Sequence, residues 1–381
     1  MNNNFVFWKE YNANTINKIL NLIDQQKRRN ATYVFADFHM HSNMSSDGKQ
    51  TLKEILKNTK QKGFDIISIT DHDDVRIYDE LFEFVQNNDM SQYPIVITGI
   101  EHTVSYPKYG EMCHILKHFI NPKDKDLLRD IEILEESYFN RAKRQINRLH
   151  ESSVLTKIFD DYKIDISYEN FLSYLKSKDI RLPDYAPLID YLADEFKTKG
   201  VSYAKLFDDL ITENQTDPCQ ARKEKKQKRF EKLKAKYEGK EIEDNRRFLL
   251  SILAVRGVDD DIYEGYPSSG SLSVNEYGQP NIFKLNHNGI TTFAHPTEAV
   301  VNTVLDCADI GGKLYAVERN IKNPYKDMSS FYKVKEAMNV CELVGSDAHA
   351  VQEDVYEDMG YYKIEITELE NYINSFREEL W

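Results

Sequence analysis

Seven apolar runs of strand length each end in, or are followed by, residues that bind metals or move protons. That coincidence constrains the fold of this chain more than any other feature. The runs are TYVFADF, FDIISIT, YPIVITGI, MCHILKHF, GITTFAH, KLYAVE and CELVGS. The groups attached to them are His39-x-His41, Asp71-His72-Asp73, Glu101, His114, His295, Glu318 and Asp347-x-His349. In an α/β barrel the C-terminal strand ends gather on one rim, where functional loops sit. A barrel would therefore bring all seven groups to one place.

The rest of the chain divides around these runs. Residues 1–32 are expected to form a helical extension, with Ile16, Ile19, Leu20 and Ile23 at helical spacing. Across 33–120 short apolar runs alternate with helix-like stretches, the βα rhythm of a parallel sheet. The run TLKEILKNTKQKG reads as a crossover helix that stops at Gly63. Residues 121–289 are charged and helix-rich without that rhythm, and read as a large insertion or subdomain. The rhythm returns over 290–381. The expected fold class is α/β.

Composition narrows the chemistry. Of 381 residues 41% are hydrophobic and 30% charged, a water-soluble profile. No apolar run is long enough to span a membrane, and MNNNFVFWKEYNANT lacks the basic start and apolar core of a signal peptide, so a cytoplasmic protein without membrane association is expected. The four cysteines are scattered without a CxxC pair, so any metal must be held by nitrogen and oxygen. The net charge is −13, yet residues 220–240 carry ten Lys/Arg against three Glu. That segment reads either as a solvated helical face or as a strip contacting a phosphate backbone.

Residues two apart on a strand point to the same side, so His39 and His41 can reach one ion, as can Asp347 and His349. His72 is flanked by Asp71 and Asp73, which can hold its tautomer as acceptors, and these two carboxylates with Glu101 are the candidate acid–base groups. Glu101 can bridge two ions, which a histidine cannot. Its neighbour His102 points the other way and is expected to be structural. His118, His150 and His287 carry no expected role. Lys117, Arg256 and Arg319 are the cations whose position suits phosphate orientation, against a structural alternative for each.

The order of FADFHMHSNMSSDG, ISITDHDD, ITGIEHT, a strand histidine, FAHPTEA and GSDAHA resembles the PHP family, named for its polymerase and histidinol phosphatase domains. The resemblance covers residues 33–120 and 290–365. It implies a distorted (β/α)7 barrel with two or three divalent ions, and phosphoesterase activity. Carried over by position, it implies that His39, His41, Glu101 and Asp347 hold one ion. Glu101 would bridge to a second ion bound by His114 and His295, and Asp47, His72 and His349 would hold a third. Glu318 falls where the family tends to place an acidic residue on its sixth strand. Mixed His/Asp/Glu ligation suits manganese, iron or zinc better than calcium or magnesium.

Three readings stay open at this point. One is a phosphoesterase acting on a phosphorylated small molecule or nucleotide. Another is a nuclease or nucleotide-end phosphoesterase that contacts nucleic acid through 220–240. A third is a non-catalytic, metal-stabilised interaction module. A protein partner docking on the helical insertion is compatible with each.

Overall fold

The computed structural model describes residues 3–45, 48–106, 111–183, 185–201, 289–296, 313–321, 328–350 and 359–377, with a few single positions between them. All seven expected strands form. They are β1 Tyr33–Met40, β2 Ile66–Ile69, β3 Ile95–Tyr106, β4 Glu111–His118, β5 Ile290–Phe293, β6 Ala316–Asn320 and β7 Cys341–Gly345, followed by an unforeseen three-residue β8, Lys363–Glu365. They make one sheet in the order β7-β6-β5-β4-β3-β2-β1-β8.

That sheet curls until β7 returns to β1. The His41 N–H donates to Ala348 O at 2.9 Å, and the Asp347 N–H donates to His39 O at 2.8 Å. Only the last part of β1 meets β7, because its first residues, Tyr33 to Phe35, pair antiparallel with β8. The barrel is thus closed at the rim and wedged open at the base, which is the physical content of its distortion.

One expectation needs correction. The βα rhythm implied parallel strands throughout 33–120, but β4 runs antiparallel to both β3 and β5. Residues 107–110 are all that joins β3 to β4, and a parallel return needs a crossover of a dozen or more residues. His114 therefore reaches the rim from the first half of its strand, not from a C-terminal end.

The helices around the barrel follow local signals. Helix α2, Leu52–Lys62, opens with a reciprocal capping box between Thr51 and Glu54 and stops at Gly63, whose φ of 79° favours glycine. It buries Leu52, Ile55 and Leu56. Helix α1, Asn3–Arg28, buries Trp8, Ile16, Ile19 and Ile23 in the main core. Each such side chain contributes about 1.5–3 kcal/mol of apolar burial. Helix α3, Ile77–Asn87, covers the sheet after β2.

Residues 136–266 form a second compact unit. Helix α4, Lys125–Glu151, begins by placing Leu127 and Ile131 in the barrel core, and only its later residues Ala142, Ile146 and Leu149 join the second core. That core is completed by α5 Ser153–Tyr162, α6 Tyr168–Ser177 and α7 Tyr185–Lys199. Of the basic segment 220–240, only Gln227, Lys228 and Glu231 fall within the described residues. Two further helices, α8 Ser329–Met338 and α9 Ile366–Phe376, return to the barrel. Among the described residues no helix is long and apolar enough to cross a membrane.

Candidate metal centre

The two-residue period of β1 turns Asp37, His39 and His41 to the inside, where all three are fully buried. Glu101, on β3, is equally buried. Across the barrel, the antiparallel β4 brings in His114, and the segment after β5 brings in His295.

Glu101 is the hub. Its Oε2 lies 2.9 Å from His39 Nε2, 3.1 Å from His41 Nε2 and 3.4 Å from His72 Nδ1. Its Oε1 lies 2.7 Å from His114 Nδ1 and 3.5 Å from His295 Nε2. Those two rings approach to 3.2 Å. The Asp347 Oδ1 completes the first group, 3.2 Å from His41 Nε2 and 3.7 Å from His39 Nε2. His41, His39, Glu101 and Asp347 thus present ligand atoms that all lie within 4.8 Å of one another. Among the described residues two other sets converge in the same way, namely His72, Glu101 and His114, and His41, His72 and His349. In the last set the His41 ring stacks on His72 at 4.6 Å and on His349 at 4.3 Å. Asp47, expected beside His72 and His349, lies outside the described residues.

The donor set fits a divalent cation. His39 and His41 bring Nε2 atoms to 3.1 Å of each other. Glu318 Oε2 sits 3.0 Å from His39 Nδ1, so a neutral His39 that donates there has an Nε2 lone pair pointing inward. Two such lone pairs repel unless a positive charge sits between them. The buried Glu101 Oε1 accepts no well-formed hydrogen bond, which is costly for a carboxylate unless something cationic faces it. Protons feel the same field. Burial alone would lower His39, yet the Glu101 and Glu318 carboxylates hold it well above the ordinary imidazole value. Burial would raise Glu101, yet His39, His72 and His114 hold it well below the usual carboxylate range.

The remaining predicted groups divide by what they touch. The Asp71 carboxylate receives the Ser42 N–H and hydroxyl, both at 2.6 Å, and burial lifts its pKa to about 6. Asp73 Oδ1 lies 2.7 Å from His102 Nδ1, a buried pair outside the ligand cluster, in keeping with the structural role expected for His102. Arg319 is committed to Glu342 and to the carbonyls of Tyr361 and Lys363, the structural alternative. Lys117 is buried, with its pKa pushed down to about 8 by burial, and Arg256 lies outside the described residues. His118 is a core residue whose ring nitrogens lie 3.0 Å from Phe38 O and 3.1 Å from the Tyr372 hydroxyl.

Glu318 proves to be a shared support, since Oε2 also accepts the His295 N–H at 3.0 Å. Room for it depends on Gly345, where a Cβ would stand 2.3 Å from Glu318 Oε1 and 2.7 Å from His39 Cβ. Sequence reasoning missed Asp37, which accepts the Ser346 N–H at 3.0 Å and its hydroxyl at 2.6 Å. The signal was available: Asp37 is two residues before His39 and so shares its face. Some of the backbone strain among the described residues lies here as well. Asp73, His295 and Asp347 all have positive φ, at 47°, 25° and 52°, a conformation that costs non-glycine residues about 1–3 kcal/mol each.

The sequence model of the PHP domain matches residues 37–217. That stretch contains the motifs from His39 to His114, while His295, Asp347 and His349 lie beyond it. No curated protein matches the chain. Among solved structures it is similar to an amidohydrolase from Chromobacterium violaceum, at 14% identity and a TM-score of 0.42, over 87% of this chain and 98% of that one. It is also similar to a candidate metal-dependent phosphoesterase from Bifidobacterium adolescentis, at 14% identity and a TM-score of 0.44, over 84% and 88%. Neither likeness is strong enough to bear on function. On the domain match, with the ligand order from β1 to β7 beside it, residues 37–217, just under half of the chain, are similar to the PHP domain.

Proposed function

We propose that this protein is a metal-dependent hydrolase of phosphate esters, working at a site of two or three divalent transition-metal ions. The observation that carries the proposal is the division of Glu101: one oxygen faces His39, His41 and His72, the other His114 and His295. A carboxylate so divided suits a bridge between two cations. His39, His41, Glu101 and Asp347 would hold one ion, and Glu101, His114 and His295 a second. His72 and His349, with Asp47, would hold a third. Their nitrogen-rich donor set favours manganese, iron or zinc.

Such ions, when bound, neutralise the charge of a phosphate ester and lower the pKa of water. The chain's own residues do the rest. Glu318 holds His39 in one tautomer, and Glu101 fixes the separation of the two ligand groups. The carboxylates of Asp71 and Asp73 are already engaged by Ser42 and His102. They fit holding the site in shape better than taking a proton from substrate.

The test is metal analysis of the purified protein joined to a substrate panel of sugar phosphates, nucleotides and oligonucleotides, run with manganese, iron and zinc. More than one metal equivalent per chain and metal-dependent phosphate release are expected. Protein that binds less than one equivalent, or that releases nothing from any member, would remove the proposal. The oligonucleotide arm decides whether nucleic acid is a substrate.

A further inference from the structure

Two buried carboxylates at the rim repeat one arrangement. Asp71, at the end of β2, takes the Ser42 N–H on Oδ1 and the Ser42 hydroxyl on Oδ2, both at 2.6 Å. Asp37, on β1, takes the Ser346 N–H on Oδ1 at 3.0 Å and the Ser346 hydroxyl on Oδ2 at 2.6 Å. Each serine oxygen then accepts an N–H two residues on, from Met44 at 3.1 Å and from Ala348 at 3.2 Å. All four residues, Asp37, Ser42, Asp71 and Ser346, are fully buried.

Every member borders a ligand candidate. Ser42 follows His41, and Asp71 precedes His72; Ser346 precedes Asp347, and Asp37 stands two before His39. We infer that Ser42 and Ser346 are positioning residues, each gripped by a carboxylate of the neighbouring strand so that adjacent ligand-bearing strands are spaced for metal before an ion arrives. The inference rests on the metal-binding reading of the site.

The backbone ladder does not set this spacing by itself. Pairing of β1 with β2 slips between Asp37 and Met40, and β1 meets β7 through a single bridge, Met40 to Ala348. The side-chain clamps sit where the ladder is weakest. They also flank strain, since Asp347 is held at a φ of 52° directly after the clamped Ser346. A carboxylate accepting two donors from one residue fixes both position and rotation, which a single hydrogen bond leaves free.

Zinc affinity is measured by competition with a chromogenic chelator for the wild type, Ser42→Ala, Ser346→Ala and the ligand control His41→Ala, with circular dichroism of each metal-free protein. Both serine variants should keep their fold and bind zinc about 10- to 100-fold more weakly, the range found when groups that orient metal ligands are removed. Folded variants with wild-type affinity overturn the inference. A wild type that binds no better than His41→Ala instead overturns the metal-binding reading beneath it. Should a variant not fold, amide exchange of the metal-stripped wild type decides. The Ser42 and Ser346 amides should exchange slowly without metal, and exchange at loop rates until zinc is added would refute preorganisation.

Discussion

At the base of the barrel the buried amide of Asn12 is neutral and matched, whereas at the rim buried polar groups are charged and crowded. Asn12 of α1 spends its amide on two carbonyls, Phe119 O at 3.0 Å and Ile120 O at 2.8 Å, and its oxygen faces the Thr98 hydroxyl at 3.0 Å. Three residues along the same strand, Glu101 stands among histidine nitrogens with one oxygen lacking a well-formed hydrogen bond. Satisfied neutral groups favour the folded chain outright. Crowded charges and strained backbone oppose folding unless a ligand offsets them. The contrast separates an end that stabilises the fold from the end where the proposed metal centre lies.

The strongest way to break that contrast is Glu101→Gln, which removes the shared charge while keeping the side chain's size. Metal-dependent turnover should fall by more than the roughly 100-fold that marks loss of a supporting group, with less metal retained per chain. A variant with wild-type turnover and metal content would show that the crowded end does no work. Next comes Glu318→Gln, which leaves an acceptor for His39 but removes its charge. Metal affinity should weaken by about 10- to 100-fold, read by chelator competition, and an unchanged affinity would demote Glu318 to a packing residue. The smallest effect belongs to the neutral end. Asn12→Ala should cost about 1–3 kcal/mol of unfolding free energy in the metal-free protein, as carbonyls lose their donor, while metal affinity stays at the wild-type value. A change in affinity there would mean that the two ends are coupled.

Much of this site could be read from the sequence because its ligands come in pairs and at strand ends. The spacing of His39 and His41, or of Asp347 and His349, fixes a shared side without any knowledge of neighbours. What could not be read depends on direction and register. The run MCHILKHF is equally apolar in either direction, so only the short link before β4 could have revealed that the strand is reversed. KIE, the whole of β8, is too short to announce a strand. The roles of Ser42 and Ser346 exist only across strands, where a small hydroxyl that looks like turn chemistry meets a carboxylate about thirty or three hundred residues away. Glu318 was noticed but left without a task, because nothing local says that it reaches His39 and His295.

The reversal of β4 also bears on how much this chain can change. Since β4 ends at His118 and β5 starts beside it at Ile290, the chain leaves the sheet and re-enters it at one point of the base. The junction is tight, for a Cβ on Gly289, whose φ is 129°, would lie 2.8 Å from Ile120 Cγ2. In topological terms the insertion replaces a hairpin turn. Closing so long a loop in place of a turn of about four residues costs only about 3 kcal/mol in chain entropy. A segment that folds around its own apolar core offsets that readily. A module can thus enter the chain at the base of the sheet while every strand that carries a ligand keeps its partners.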